Sequence, residues 1–181
     1  MTSLLFQTVT SSGTQPELDA LLHLGRETFT QAFGHNYTAA DLNAYLEQSF
    51  NPEQIAREWA DPQIQYTLVY WNSEPVGYFK WVESGRKYLP ESFKTHNPLY
   101  LERFYFLESC HGLGLAAAAL HFIVGQAKQQ LKADYLYLTV WENNLRGQNF
   151  YQKHGLRVIG QCEFPVGKQL DRDYVYSLKL N

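Results

Sequence analysis

The chain has 181 residues and a formal net charge of −3, with 45% hydrophobic, 15% aromatic and only 18% charged side chains. That is enough apolar material for one full core and too much for general disorder, so a single domain over residues 1–181 is expected. No apolar run approaches the roughly 20 residues of a membrane span, the first ten residues lack a basic segment followed by an apolar one, and Cys110 and Cys162 form neither a disulfide framework nor a zinc-spaced cluster. The composition therefore points to a cytoplasmic protein with free thiols, no metal, no membrane contact and no nucleic-acid partner.

Residues 4–10 read as a strand, and after Pro16 a helix runs over 17–32 with Leu18, Leu21, Leu22 and Phe29 on its apolar stripe. A second helix is predicted over 38–50, with Thr38 and Asp41 in capping-box positions. Asn51-Pro52 ends it and opens a third helix over 52–60. The pattern then changes to strands: 66–71 and 76–82 flank the turn Asn72-Ser73-Glu74-Pro75 as a hairpin. A polar stretch with Gly85, Pro90 and Pro98 separates it from a strand over 100–107. A long helix over 114–132, a buried strand over 135–141, a helix over 145–154 ended by Gly155 and two closing strands over 156–164 and 174–180 complete the chain. The order argues for a mixed α+β fold built on one sheet.

Charge is distributed unevenly. Residues 1–62 hold eight acidic side chains against two basic ones, and the remainder holds ten against thirteen. Solvated helix faces explain this as readily as a cationic ligand at one end and an anionic ligand at the other.

Two segments carry the chemical signal. In the first, the strand 100–107 leads through Glu108, Ser109 and Cys110 into His111-Gly112-Leu113-Gly114-Leu115-Ala116, small residues alternating at the start of a helix. Gly112 and Gly114 permit backbone conformations closed to other residues, and Ala116 allows close approach, so main-chain N–H groups at the positive end of the helix dipole can converge on a phosphate or pyrophosphate. A tight turn with no ligand fits the same residues. In the second, Asn143-Asn144 ends a strand, and Phe150-Tyr151 follows in the next helix. Asn144 suits an N-cap, Phe150 suits the core, and the Tyr151 phenol could donate a proton to a leaving group.

In this order and about 30 residues apart, the two segments resemble the GNAT acetyltransferases, which acylate amines with acetyl-CoA. His111, Gly114 and Ala116 match the family's Gln/Arg-x-x-Gly-x-Gly/Ala signature with His in the first place. Asn144, Phe150 and Tyr151 match its Asn-x-x-Ala-x-x-Phe-Tyr with Gly147 in place of Ala. Glu27-Thr28-Phe29, Ala44-Tyr45-Leu46, Val76 to Lys80 and Val140 to Asn144 look like the bacterial spermine/spermidine acetyltransferase branch.

The resemblance implies a central, mostly antiparallel sheet splayed at its middle strands and flanked by helices, with acetyl-CoA as cosubstrate. It implies that the Phe106 N–H polarises the thioester carbonyl, with Leu107 and Glu108 adding backbone contacts. It further implies that His111, Gly112, Leu113, Gly114, Leu115 and Ala116 hold the pyrophosphate, that Asn144 bonds the cofactor arm, and that Tyr151 protonates the departing thiolate. Glu102 and Glu142 are the carboxylates placed to serve as base; a salt bridge for Glu102 and a solvated strand end for Glu142 fit as well. The implied partner is a small cationic amine such as a polyamine. Peptide or protein N-termini, amino acids, amino-sugar drugs, or a CoA-binding sensor with little turnover are the alternatives, and the family permits a homodimer.

Overall fold

The computed structural model describes residues 3–9, 13–93, 96–166 and 169–181. The strands are β1 (Leu4–Thr8), β2 (Ile64–Trp71), β3 (Glu74–Glu83), β4 (Pro98–Phe106), β5 (Tyr135–Trp141), β6 (Arg157–Val166) and β7 (Gln169–Lys179). The helices are α1 (Gln15–Phe33), α2 (Ala39–Ser49), α3 (Pro52–Ala60), α4 (Leu115–Gln129) and α5 (Leu145–Lys153). The strands form one seven-stranded sheet in the order β1-β2-β3-β4-β5-β7-β6; β1 with β2, β5 with β7 and β6 with β7 pair antiparallel, and β4 pairs β5 in parallel. This is the mixed α+β class that the sequence predicts; Thr10, the last residue of the first predicted strand, lies outside the described residues.

The chain groups into two compact units, one of Met1–Trp81 with Arg103–His121 and one of Val82–Glu102 with Phe122–Asn181. In the first unit the helix starts are built by their caps. The Glu17 carboxylate accepts from the Thr14 N–H at 2.6 Å, Thr38 Oγ1 accepts from the Asp41 N–H at 3.1 Å, and Asn51 Oδ1 accepts from the Gln54 N–H at 2.8 Å, with Pro52 opening α3. Leu21, Leu24, Phe29, Leu46, Phe50 and Ile55 bury their side chains against Tyr66, Leu68 and Tyr78 of β2 and β3.

Under this apolar layer lies an ionic network. Lys80 Nζ is 3.0 Å from the Glu58 carboxylate, with both side chains nearly excluded from water. The Tyr66 O–H donates to Glu58 and accepts from Arg103 Nη1 at 3.0 Å. The Arg103 guanidinium also lies 4.6 Å from the Phe50 ring centroid and reaches the Ser49 carbonyl at 3.4 Å. Burial alone would raise the Glu58 carboxyl, but Lys80, Arg103 and the hydrogen bonds from Tyr66 and Gln54 hold it below the ordinary carboxylate range. Tyr78 is in the core, 1% exposed between Tyr66 and Tyr105.

In the second unit, β5 pairs β7 over all seven of its residues, from Tyr135↔Lys179 to Trp141↔Asp173. The polar stretch after β3 is a folded loop that places Leu89 beside Tyr100, Tyr137 and Val175. The Tyr137 O–H donates to the carbonyls of Lys87 at 2.8 Å and Gly85 at 3.2 Å and pins the loop to the sheet. Gly155, at φ +86°, ends α5 as read from the sequence. β7 begins at Gln169, earlier than the boundary at 174 expected from the apolar pattern. The reason is that Asp171 and Asp173 occupy buried positions, 7% and 6% exposed, where apolar residues usually mark a strand. Among the described residues no helix is long and apolar enough to cross a membrane.

Candidate active site

The turn from β4 to α4 lies wholly in the first unit. The Leu107 N–H donates to the Val76 carbonyl of β3 at 2.9 Å. Successive amides of an extended strand point to opposite edges, so the Phe106 N–H points off the edge of β4 away from β3. Gly77 makes room here: a Cβ on it would stand 2.6 Å from the Tyr105 carbonyl oxygen and from the Phe106 ring. The Glu108 N–H is held by the Gln31 side-chain carbonyl at 2.9 Å. The carbonyls of Leu107 and Glu108 accept from Cys110 and His111 at 2.9 and 3.0 Å. The amides of Leu107 and Glu108, which the resemblance implies as cofactor contacts, are thus engaged within the protein, and the Phe106 amide is the one directed outward.

Beyond them, Gly112 and Gly114 adopt φ of +82° and +77°, and a Cβ on either would meet nothing within 4 Å. His111, Gly112, Leu113 and Gly114 are all exposed. The first backbone bond into α4 runs from the Ala118 N–H to the Gly114 carbonyl at 3.1 Å, so the amides of the first helical turn precede any intrahelical partner. α1, α2 and α3 place Glu17, Asp41 and Glu53 in their first turns, whereas α4 has no acidic residue there. The positive end of α4 is open to an anion, in the manner expected of a pyrophosphate cradle.

The second unit carries Glu102, Glu142, Asn144 and Tyr151. Asn144 caps α5, its Oδ1 accepting from the Gly147 N–H at 2.9 Å. A Cβ on Gly147 would stand 2.8 Å from Asn144 Nδ2, so glycine in place of the family's alanine suits this side-chain position. Tyr151 is 9% exposed, and burial pushes its phenol well above the ordinary tyrosine range, so it holds its proton throughout the neutral range. Phe150 is half-buried, with its ring 4.4 Å from that of His154. Glu142 stands at the end of β5 with its carboxylate 3.6 Å from Arg172. Glu102 is half-buried, and its charge helps raise the phenols of Tyr100 and Tyr137.

Two residues that sequence reasoning missed, Thr139 and Asp173, also belong to the second unit. The β4–β5 ladder covers only Pro98↔Tyr135 to Tyr100↔Tyr137. From Leu138 onward β5 has a ladder partner on its β7 edge alone among the described residues. Thr139 lies in this stretch, diagonally across from Asp173 of β7, whose side chain is 6% exposed. Burial, with Asp171 and Glu142 nearby, pushes the Asp173 carboxyl up to about 6. Thr139 and Asp173 lie on one face because Thr139 opposes Val175 and Trp141 opposes Asp173. The signal in the sequence was the pair of aspartates two apart in a closing strand.

The model of the Acetyltransferase (GNAT) family matches residues 21–156. An uncharacterised N-acetyltransferase of Lactobacillus delbrueckii subsp. lactis is 26% identical over 167 residues, covering 92% of this chain and 94% of that protein. The spermine/spermidine N(1)-acetyltransferase of Bacillus subtilis is 29% identical over 66 residues, covering 36% of this chain and 43% of that protein. The structure of the PaiA N-acetyltransferase of Thermoplasma acidophilum in complex with coenzyme A superposes with a TM-score of 0.73 at 15% identity, covering 98% of this chain and 99% of that one. With the family's motifs on a turn open to an anion and on a capped helix with a protonated phenol, the chain belongs to the GNAT family and is an acetyl-CoA-dependent N-acyltransferase.

Proposed function

We propose that the enzyme transfers the acetyl group of acetyl-CoA to a primary amine of a small cationic acceptor of the polyamine kind, by direct attack through a tetrahedral intermediate. The observation that carries this reading is the outward-directed Phe106 amide beside the open α4 turn. It supplies a donor for the thioester oxygen, whose negative charge grows as the amine adds. Residues 111–116 take the pyrophosphate, Asn144 bonds the cofactor arm, and Tyr151 gives its proton to the CoA thiolate as the tetrahedral intermediate collapses. The excess of acidic side chains in residues 1–62, eight against two basic ones, favours a cationic acceptor over a neutral or anionic one. So does the partial likeness to the Bacillus subtilis spermine/spermidine enzyme. Two free thiols suit a reducing compartment, and the reading takes the cytoplasm as its location.

The test is CoA thiol release from acetyl-CoA with a panel of amines: spermidine, spermine, monoamines, amino acids, an N-terminal peptide and an aminoglycoside. Turnover fastest with spermidine or spermine is expected, with KM for the amine rising as salt screens the attraction. Preference for a peptide or amino acid would replace the acceptor class. Tight acetyl-CoA binding without release for any amine would replace the enzyme by a sensor.

A further inference from the structure

The first unit holds a guanidinium whose direct partners are neutral. Arg103 is half-buried on β4. Its Nη1 donates to the Tyr66 phenol oxygen at 3.0 Å, its Nη2 donates to the Ser49 carbonyl at 3.4 Å, and its guanidinium lies 4.6 Å from the Phe50 ring centroid. The carboxylate in the neighbourhood, Glu58, is engaged by other groups: Lys80 at 3.0 Å, the Tyr66 O–H, and the Gln54 side-chain amide at 2.7 Å. Among the described residues Arg103 forms no ion pair.

A cation partly withdrawn from water and left with neutral partners is costly, and a carboxylate set beside it offsets much of that cost. A guanidinium presents its N–H donors as a planar fork that meets both oxygens of a carboxylate at once, which an ammonium cannot do. In Arg103 the Nε–H and the second N–H of each terminal nitrogen have no acceptor among the described residues. Position says which molecule could bring the carboxylate. Arg103 precedes Phe106 on β4 by about 10 Å of extended strand, and residues 111–116 follow Phe106 beyond the end of that strand. Phe106 therefore lies between Arg103 and the turn proposed for the pyrophosphate, so a group held by Arg103 is on the acceptor's side of the proposed transfer point. The acid-rich residues 1–62 draw an ammonium and Arg103 draws a carboxylate, a combination suited to a molecule that carries both, well separated.

We propose that Arg103 binds the carboxylate of a second class of acceptor, primary amines that carry a carboxylate at the far end of an extended chain. The inference rests on the acetyl-transfer reading above and adds a class to its acceptors. The chemistry is the same for both classes. The C–S bond of acetyl-CoA breaks and an N–C bond forms. The acceptor ammonium gives up two protons, one to the CoA thiolate and one to solvent. The products are CoA thiol and an N-acetylated amino acid whose carboxylate takes no part in the bond changes.

The experiment compares 6-aminohexanoate with hexylamine, which differ at the far end of the chain by the carboxylate, for the wild type, R103Q and R103K. The quantity read is the ratio of their kcat/KM values within each form of the enzyme, which cancels any loss of folded protein. The wild-type ratio should be roughly 10- to 100-fold in favour of 6-aminohexanoate, the usual worth of a charge-assisted hydrogen bond. In R103Q it should fall to about one, and R103K, which keeps the charge and loses the fork, should lie between. A wild-type ratio near one overturns the proposal, and so does a ratio unchanged in whichever variant folds. Calorimetric titration of the two amines into the enzyme–CoA complex reads the same ratio as affinities without turnover, so the proposal is decided even for a protein that releases no CoA. Hexane-1,6-diamine reads the polyamine proposal separately: turnover no faster than with hexylamine removes that acceptor class and leaves the carboxylate ratio standing.

Discussion

The Gln31 side-chain carbonyl accepts the Glu108 N–H at 2.9 Å, tying the last turns of α1 to the second residue beyond the end of β4. The Gln31 amide is oriented by a second bond, its Nε2 donating to Glu27 at 2.8 Å. Gln31→Ala frees the start of the turn proposed to hold the cofactor. A hydrogen bond of this kind contributes about 1 kcal/mol, so KM for acetyl-CoA should rise roughly fivefold with kcat little changed. Steady-state kinetics with varied acetyl-CoA check it, and an unchanged KM would reduce the contact to packing.

Tyr151→Phe removes the buried phenol and keeps the ring. If Tyr151 supplies the leaving-group proton, kcat should fall by roughly 10² to 10⁴ with acetyl-CoA affinity preserved. Burial raises the phenol, so the wild-type enzyme should show no loss of kcat from ionisation of Tyr151 up to pH 9. A variant as active as the wild type would take this role from Tyr151.

Glu58→Gln leaves Lys80 and Arg103 buried with no carboxylate between them. Removing one partner of such a pair destabilises by about 3 to 5 kcal/mol, readable as a lowered urea midpoint. In the wild type the folded-state pKa of Glu58 is depressed, so its contribution is present above the unfolded carboxylate range and is lost as pH falls through the folded value. Acid unfolding should therefore begin at higher pH once other contributions are matched in a variant that keeps Glu58 but removes Lys80.

Asp173 has the opposite sign. Its folded-state pKa is raised from 3.8 to about 6, so the fold is favoured by the protonated form and loses stability as pH rises through that interval. Asp173→Asn should therefore stabilise the protein above pH 6, by roughly 2 to 3 kcal/mol at most, with the difference vanishing below pH 4. Thermal melts at pH 4, 6 and 8 measure it.

Most element boundaries were legible because the chain announces them locally: Thr38 and Asn51 cap helices, Pro52 opens one, and Gly155 ends one. The left-handed Gly112 and Gly114 were legible for the same reason. What the pattern hid was polar residues in apolar places. Lys80 lies in a strand and Glu58 in a helix, and nothing near either in sequence indicates their meeting at 3.0 Å. Asp171 and Asp173 interrupted the alternation of β7 and so delayed its predicted start. Thr139 and Asp173 share a face across two strands, and such a relation is set by register, which a linear reading does not contain.

Gly77 shows how far position can matter without chemistry. Its missing side chain lets β3 and β4 approach where a Cβ would meet the Tyr105 carbonyl and the Phe106 ring. Alanine there would have to push β4 aside, and if the Phe106 amide is the proposed oxyanion donor, a few tenths of an ångström separate a good donor from a poor one. An atom that is absent from one strand thus fixes the aim of an amide on the next, and drift at position 77 could retune or silence the enzyme while every reacting group stayed intact.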